Sequence, residues 1–319
     1  MAYDDEFKRQ VINDALETNC TASSRKHNVS DKTIRGWVKK HQQRQEFKET
    51  IAPHIKPTTG VYADRFELPP LGLTICVIPD VQAKDGLDFT YLGYLGRYIA
   101  EKKPDVIVCI GDFADMPSLS TYEQAGSKGY EGQRYRHDIL ATHHAMKALM
   151  TPIKEAMKGD WKPRLVMTLG NHEHRIDRAI EATPKLDGVI GLPDLEYDRW
   201  GWEAVPFLEP IVIGGIAFCH YFCSGVMGRP VTTARMLLAK KHMSCFAGHQ
   251  QGRDIAYGYR GDGTEIIGII SGSCYLHDEG YLNHQTNKHF RGFYFLHDVV
   301  DGTFEEMPVS LKYLMRRYS

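Results

Sequence analysis

The sequence predicts an α/β domain preceded by a small all-α module, and three observations carry that prediction. First, from residue 71 onward, short continuous apolar runs recur: Leu73–Ile78, Val106–Ile110, Leu165–Leu169, Ile216–Cys219, Cys245–Ala247 and Ile266–Ile270. Runs of that length without alternation suit strands covered on both faces. Second, amphipathic stretches at Asp88–Glu101 and His137–Met157 separate the first three runs. Strand–helix–strand order implies parallel right-handed crossovers. The later runs are shorter and closer together, and are expected to include antiparallel strands. Third, residues 4–44 lack such runs and show helical spacing instead.

In the N-terminal stretch Phe7, Val11, Ala15 and Leu16 recur at helical spacing, and Asn19 and Cys20 break the run. Thr21 is the expected cap of a second helix over Ala22–His27. Asn28 tolerates the left-handed conformation of a tight turn. Ser30 then caps a third helix with Ile34, Trp37 and Val38 as its apolar stripe. This is the layout of a helix-turn-helix. Pro53, Pro57, Thr58, Thr59 and Gly60, closed by Pro69–Pro70, read as an extended linker. The expected domains are therefore 1–45, a linker over 46–70, and 71–319.

Bulk properties exclude several classes. Of the 319 residues, 42% are hydrophobic and 25% charged, as in ordinary globular chains, and the formal net charge is −1. No global charge draws the chain to nucleic acid or to an anionic membrane. No apolar run approaches the ~20 residues that span a bilayer, and the polar, acidic start does not resemble a secretory signal. Seven scattered cysteines, an odd number, read as reduced thiols in the cytoplasm. A thiolate zinc site at Cys219 and Cys223 is not expected, because no second close pair accompanies them.

Each strand-like run ends in chemistry. Leu73–Ile78 is followed by Pro79-Asp80-Val81-Gln82, and Val106–Ile110 by Gly111-Asp112-Phe113-Ala114-Asp115. Leu165–Leu169 leads into Gly170-Asn171-His172-Glu173, Ile216–Cys219 into His220, and Cys245–Ala247 into Gly248-His249-Gln250-Gln251. Asp, Asn and Gly are good turn residues in their own right. Five such ends in succession, three of them bearing histidine, point further, because sites in α/β sheets form at the carboxyl ends of strands.

These ordered motifs resemble those of the calcineurin-like metallophosphoesterase superfamily: D-x-H, GDxxD, GNHE, a lone His and GHxH. The resemblance covers about residues 71–300. It implies a four-layer αββα sandwich of two mixed sheets flanked by helices, and a two-metal site that hydrolyses phosphate esters by metal-activated hydroxide. Asp112 is implied to bridge the metals, with Asn171, His220 and His249 completing one site and Asp80, Gln82 and Gln251 the other. His172 is implied to protonate the leaving oxygen or stabilise its charge, with Asp115 orienting its ring. Gln82 and Gln251 stand where the family has histidines. Three readings stay open: a site retuned for a hard ion, Mn²⁺ or Mg²⁺; one tight metal instead of two; or lost catalysis in a binding protein.

Arg175, Arg229 and Arg253 are candidate substrate contacts, being cations near the motifs. Met116–Arg136, with Tyr122, Tyr130 and Tyr135, reads as an inserted loop that either shapes substrate choice or covers the site. His143, His144 and His174 lie off the motif positions and read as helix-surface residues, whereas His277 is a candidate for the site rim.

Between Asn19 and Arg44 seven basic residues stand against one acid, Asp31, a local surplus of +6. The stretch Ala22–Ile34 resembles a transposase-type helix-turn-helix. That resemblance implies DNA as a partner, with Asp31, Lys32, Thr33 and Arg35 toward bases and Lys39, Lys40 and Arg44 toward phosphates. The competing reading is a trihelical module for protein contacts. The sequence as a whole thus points to a phosphodiesterase or nuclease acting on DNA. The alternatives are a phosphatase of nucleotides or phosphoproteins, and a non-catalytic DNA-binding protein. Oligomeric state is left open.

Overall fold

Side-chain caps set the start of each N-terminal helix. In the computed structural model, which describes residues 3–51, 71–121, 131–277 and 289–319, helices α1 (Asp5–Glu17), α2 (Cys20–His27) and α3 (Asp31–Ile51) succeed one another. Asp4 accepts from the Phe7 N–H, Asn19 from Ala22 N–H and Ser30 from Thr33 N–H. Asn19 therefore caps α2 in place of Thr21, whose hydroxyl donates to Asp31 instead. Asn28 turns the chain at φ 53°. Val11, Ala15, Val29 and Ile34 are buried together, with Phe7, Cys20, Trp37 and Val38 packed around them, while Leu16 is exposed. Helix α3 continues past residue 45, so the expected linker cannot begin at 46. The linker positions 52–70 lie outside the described residues, as do Tyr122 and Tyr130 and the side chain of Arg44.

The chain divides into two compact units, Met1–Pro70 and Leu71–Ser319. The second is mixed α/β and contains two mixed sheets. Its elements run β1 (Leu73–Ile78), α4 (Thr90–Lys102), β2 (Val106–Cys109), α5 (Tyr135–Ala156), β3 (Arg164–Thr168), α6 (Arg175–Ala182), β4 (Glu203–Val205), β5 (Ile211–Ile213) and β6 (Ile216–Cys219). They continue with β7 (Cys223–Ser224), β8 (Arg229–Pro230), α7 (Ala234–Lys241), β9 (Cys245–Ala247), β10 (Arg253–Tyr259), β11 (Glu265–Ser271), β12 (Gly292–Val300), β13 (Thr303–Ser310) and α8 (Leu311–Tyr318).

The first sheet has the order β13-β12-β1-β2-β3-β4 and the second β10-β11-β9-β6-β5; β7 and β8 form a separate two-stranded ribbon. Strands β1 to β4 are mutually parallel; β12 adds antiparallel to β1, and β13 antiparallel to β12. In the second sheet β6, β9 and β11 are parallel, with β5 and β10 antiparallel at its edges. The late runs are thus parallel at the sheet centre and antiparallel only outside it.

Alternation along the strands sorts side chains between layers. Ile75, Val77, Val106, Val108 and Val166 from the first sheet share a buried core with Phe218, Phe246, Ile267 and Ile269 from the second. Cys76, Ile78, Ile107, Cys109 and Met167 point the other way, into a core shared with Leu92, Leu95, Met146, Leu149 and Leu314 of α4, α5 and α8. Ala217, Cys245 and Ile270 pack with Leu237 of α7. Gly96 is where α4 and α5 press together; a Cβ there would clash with the Leu149 carbonyl and Pro152. All seven cysteines carry free thiols. Among the described residues, no helix is long and apolar enough to cross a membrane.

Candidate metal centre

Five loops leave the carboxyl ends of parallel strands, three in the first sheet and two in the second, and glycines let them approach one another. Gly111 turns off β2 at φ 91°, and a Cβ there would lie 2.7 Å from both Gly170 N and the Thr168 carbonyl. A Cβ on Gly170 would collide with the Asp112 backbone and carboxylate, and one on Gly248 with the Asp80 carboxylate. Four non-glycine residues at these loops also hold left-handed backbone: Gln82 (φ 48°), Asp112 (48°), His249 (68°) and Gln251 (51°). Each such residue costs roughly 1–2 kcal/mol. Strain of this kind persists only where surrounding contacts fix it, and it gathers at functional sites.

Asp112, His220 and His249 form a group whose ligand atoms lie within 4.8 Å of one another. The His220 ring is fully buried, and Nδ1 donates to the Ile110 carbonyl at 2.9 Å. That bond leaves Nε2 facing two acceptors, Asp112 Oδ2 at 3.2 Å and Asn171 Oδ1 at 2.9 Å. A neutral His220 presents a lone pair there, so three acceptors meet with no donor between them. A proton on Nε2, a bound cation or an Asn171 amide turned to donate satisfies such an arrangement. Burial alone depresses His220, but Asp112 and Asp80 outweigh it and raise its pKa to about 9. Asp112 is held below the carboxylate range by His172 and His220 despite burial. His249 is lowered to about 4, by burial and then by the neighbouring His220 charge. One carboxylate, one amide oxygen and two imidazoles are a donor set that fits a divalent cation.

The remaining expected ligands are placed differently. Asp80 is fully buried, and its carboxylate accepts the His249 N–H at 3.1 and 3.2 Å. Burial raises its pKa against the pull of His220. The Gln82 N–H donates to the Asp112 carbonyl at 2.8 Å, which pins the first loop to the second. Gln251 Oε1 accepts from the Tyr275 hydroxyl at 2.8 Å.

Beside the group, Asp115 Oδ1 lies 2.8 Å from His172 Nδ1, as the motif implies. Lys84 Nζ is 3.2 Å from the other Asp115 oxygen. His172 Nε2 is 3.6 Å from Asp112 Oδ2 and 3.1 Å from Arg175 Nη2. Burial lowers the His172 pKa, yet the two carboxylates reverse that and raise it. The Arg175 side chain has a different use from the open substrate contact expected of it. It is buried, and Nη1 donates to the Asp115 and Met116 carbonyls at 2.8 and 3.3 Å. It fastens the Asp115 loop and brings a positive charge to His172.

Sequence reasoning assigned no role to Glu173, which organises the loops. Its fully buried carboxylate accepts four hydrogen bonds: Asp112 N–H and Gly170 N–H on Oε2, Ala114 N–H and the Tyr197 hydroxyl on Oε1. Its place at the end of the Gly170-Asn171-His172-Glu173 stretch was the available signal. Lys84 and Tyr275 carried none.

The other candidates lie off this group. Arg229 and Arg253 are exposed, and Arg253 stacks over Phe290 at 4.6 Å. His277 stacks on Tyr275 at 4.2 Å. His143 contacts the Asp194 carbonyl, and His174 lies 3.1 Å from Asp177 and stacks on Phe207. In the N-terminal unit Lys32, Lys39 and Lys40 are exposed on α3. Arg35 pairs with Asp31 one turn away, and Thr33 Oγ1 bonds Ser30 Oγ at 2.6 Å. No protein-family model matches the chain, and no curated protein matches it.

Proposed function

We propose that residues 71–319 form a calcineurin-like metallophosphoesterase domain, and that the chain hydrolyses phosphodiesters in DNA. The observation that supports this best is the meeting of Asp112, Asn171 and His220, from three strand ends in two sheets, with His220 Nε2 2.9 Å from Asn171 Oδ1 and 3.2 Å from Asp112 Oδ2. Asp112, Asn171, His220 and His249 are the residues to hold a divalent ion. The mixed oxygen and nitrogen donors suit Mn²⁺, and Mg²⁺ next. An ion held by these residues would supply charge stabilisation at the phosphoryl oxygens and Lewis acidity toward water.

The chain's own residues do the rest. His172 directs Nε2 toward the same space as the Asp112 carboxylate. It is placed to give a proton to the leaving oxygen or to stabilise its charge. Asp115 holds the ring by Nδ1, and Arg175 adds a second positive group beside Nε2. Glu173 keeps the Asp112 and Gly170 turns in register. The helix-turn-helix unit supplies exposed lysines on α3 for a nucleic-acid backbone, and tethering raises the local concentration of substrate.

The test offers the full chain an aryl phosphodiester, an aryl phosphomonoester and plasmid or single-stranded DNA, with Mn²⁺ or Mg²⁺. DNA cleavage that disappears in Asp112→Asn and His172→Ala is the expected result. Turnover of the monoester alone would move the assignment to a phosphatase. No metal-dependent hydrolysis would leave a DNA-binding protein.

A further inference from the structure

The resemblance implies two ions, yet the two halves of the expected ligand set are not equally built. The half formed by Asp112, Asn171, His220 and His249 brings its donor atoms together. Asp112, His220 and His249 bring their ligand atoms within 4.8 Å of one another, and Asp80 is not in that group. The Asp80 carboxylate receives the His249 N–H with both oxygens, which makes it a support for the His249 turn.

Gln251 differs in a second way from the imidazole that the family motif carries there. Its amide oxygen is the better of its two groups for a hard cation, and that oxygen takes the Tyr275 hydroxyl at 2.8 Å. Tyr275 is itself fixed. It is fully buried, stacked on His277 at 4.2 Å, with the Arg291 guanidinium 5.7 Å from its ring centre. Arg291 is anchored in turn by donation to the Leu276 carbonyl. The Tyr275 hydroxyl occupies one lone pair of that oxygen and fixes its direction, so aiming the other at an ion means shifting a packed aromatic stack. Gln82 offers no imidazole either, and an amide is a weaker donor than an imidazole for the metals that accept nitrogen.

We propose that this chain holds one tightly bound divalent ion rather than a pair, with Gln251 committed to Tyr275 instead of to a second metal. The inference rests on the metallophosphoesterase reading, and it assigns Asp80 to positioning His249. Phosphate-ester chemistry in this protein then relies on one ion together with His172 and Arg175, where the family motif set implies two ions.

Chelator-treated full-length protein is titrated with Mn²⁺ by calorimetry, and the loaded sample is read by electron paramagnetic resonance. The expected result is one ion per chain with the spectrum of an isolated Mn²⁺. His249→Ala is expected to weaken that binding at least about a hundredfold, as loss of a ligand should. Two ions of comparable affinity with an exchange-coupled spectrum would overturn the inference and leave the phosphoesterase reading intact. No binding at all would overturn both. A variant combining Gln82→His, Gln251→His and Tyr275→Phe is expected to take up a second ion and show the coupled spectrum. If that variant keeps the parent circular dichroism and still binds one, these side chains do not set the count.

Discussion

Glu173 Oε2 accepts the backbone N–H of Asp112 at 3.0 Å, across 61 positions of sequence. The carboxylate of the third loop thereby sets the backbone of the second, and the second loop carries Asp112 of the candidate metal group. Removing it strands three buried N–H groups and one hydroxyl. Each unsatisfied buried group costs about 1–3 kcal/mol, so Glu173→Ala is expected to lower unfolding free energy by at least about 4 kcal/mol. Urea titration measures this, and a loss below about 1 kcal/mol would show that the loops hold themselves.

Gly170 admits no side chain, because a Cβ would occupy the place of the Asp112 carboxylate. Gly170→Ala should therefore displace Asp112 and weaken Mn²⁺ binding by at least about tenfold, with a stability cost of about 1–3 kcal/mol from overpacking. Unchanged affinity by calorimetry would mean that the Asp112 carboxylate is not a ligand.

The metal-free protein should bind its ion in competition with a proton. His220 is raised to about 9, above the ordinary value of about 6.5. Its protonated form therefore stabilises the metal-free fold fully below about pH 6.5, and that contribution is lost as pH rises through about 9. His249, lowered to about 4, carries no proton at neutral pH. Mn²⁺ affinity should rise about tenfold per pH unit between pH 7 and 9, with about one proton released per ion. Calorimetry at pH 7 in two buffers of different ionisation enthalpy reports the proton count; zero release would contradict the assignment of His220.

His172 is close to the ligands without belonging to the acceptor cluster. His172→Ala should retain Mn²⁺ while kcat falls by about 10²–10⁴. Asp115→Asn should lose less, because the ring keeps its place beside Arg175. Loss of metal from His172→Ala, seen by elemental analysis, would recast this residue as a ligand.

The DNA-binding reading of α3 predicts a steep salt dependence. Lys39→Ala and Lys40→Ala should each weaken duplex binding at low salt and reduce the slope of log affinity against log salt by about one. Arg35 should matter less than its neighbours, since Asp31 already neutralises it. Filter binding across a salt series checks both, and affinity indifferent to salt would favour a protein partner.

The site was legible in the sequence to the extent that side-chain identity tracks strand order. Asp112, Asn171, His220 and His249 stand directly after apolar runs, and parallel strands deliver their succeeding loops to the same end of the sheet. Strands β4, β5, β7, β8, β10, β12 and β13 escaped the reading, as did α7 and α8. β4 and β5 have three residues each, and Thr303–Ser310 alternates with polar and proline positions that resemble a loop. Arg175 illustrates a different limit. Its charge announced an electrostatic role, but nothing in sequence spacing reveals that two backbone carbonyls and a histidine would absorb that guanidinium. The Tyr275–Gln251 bond is likewise invisible until the loops are folded, because 24 residues separate its partners.

The bond from His220 Nδ1 to the Ile110 carbonyl runs between the two sheets. It acts as a rivet through the seam of the sandwich, set two residues before Asp112. A cation held at Nε2, at the far edge of that ring, would pull through it on the strand that leads to Asp112. Prying the sheets apart and ejecting such an ion would be a single event, so hydrogen exchange at Ile110 and His220 should slow together when Mn²⁺ is added.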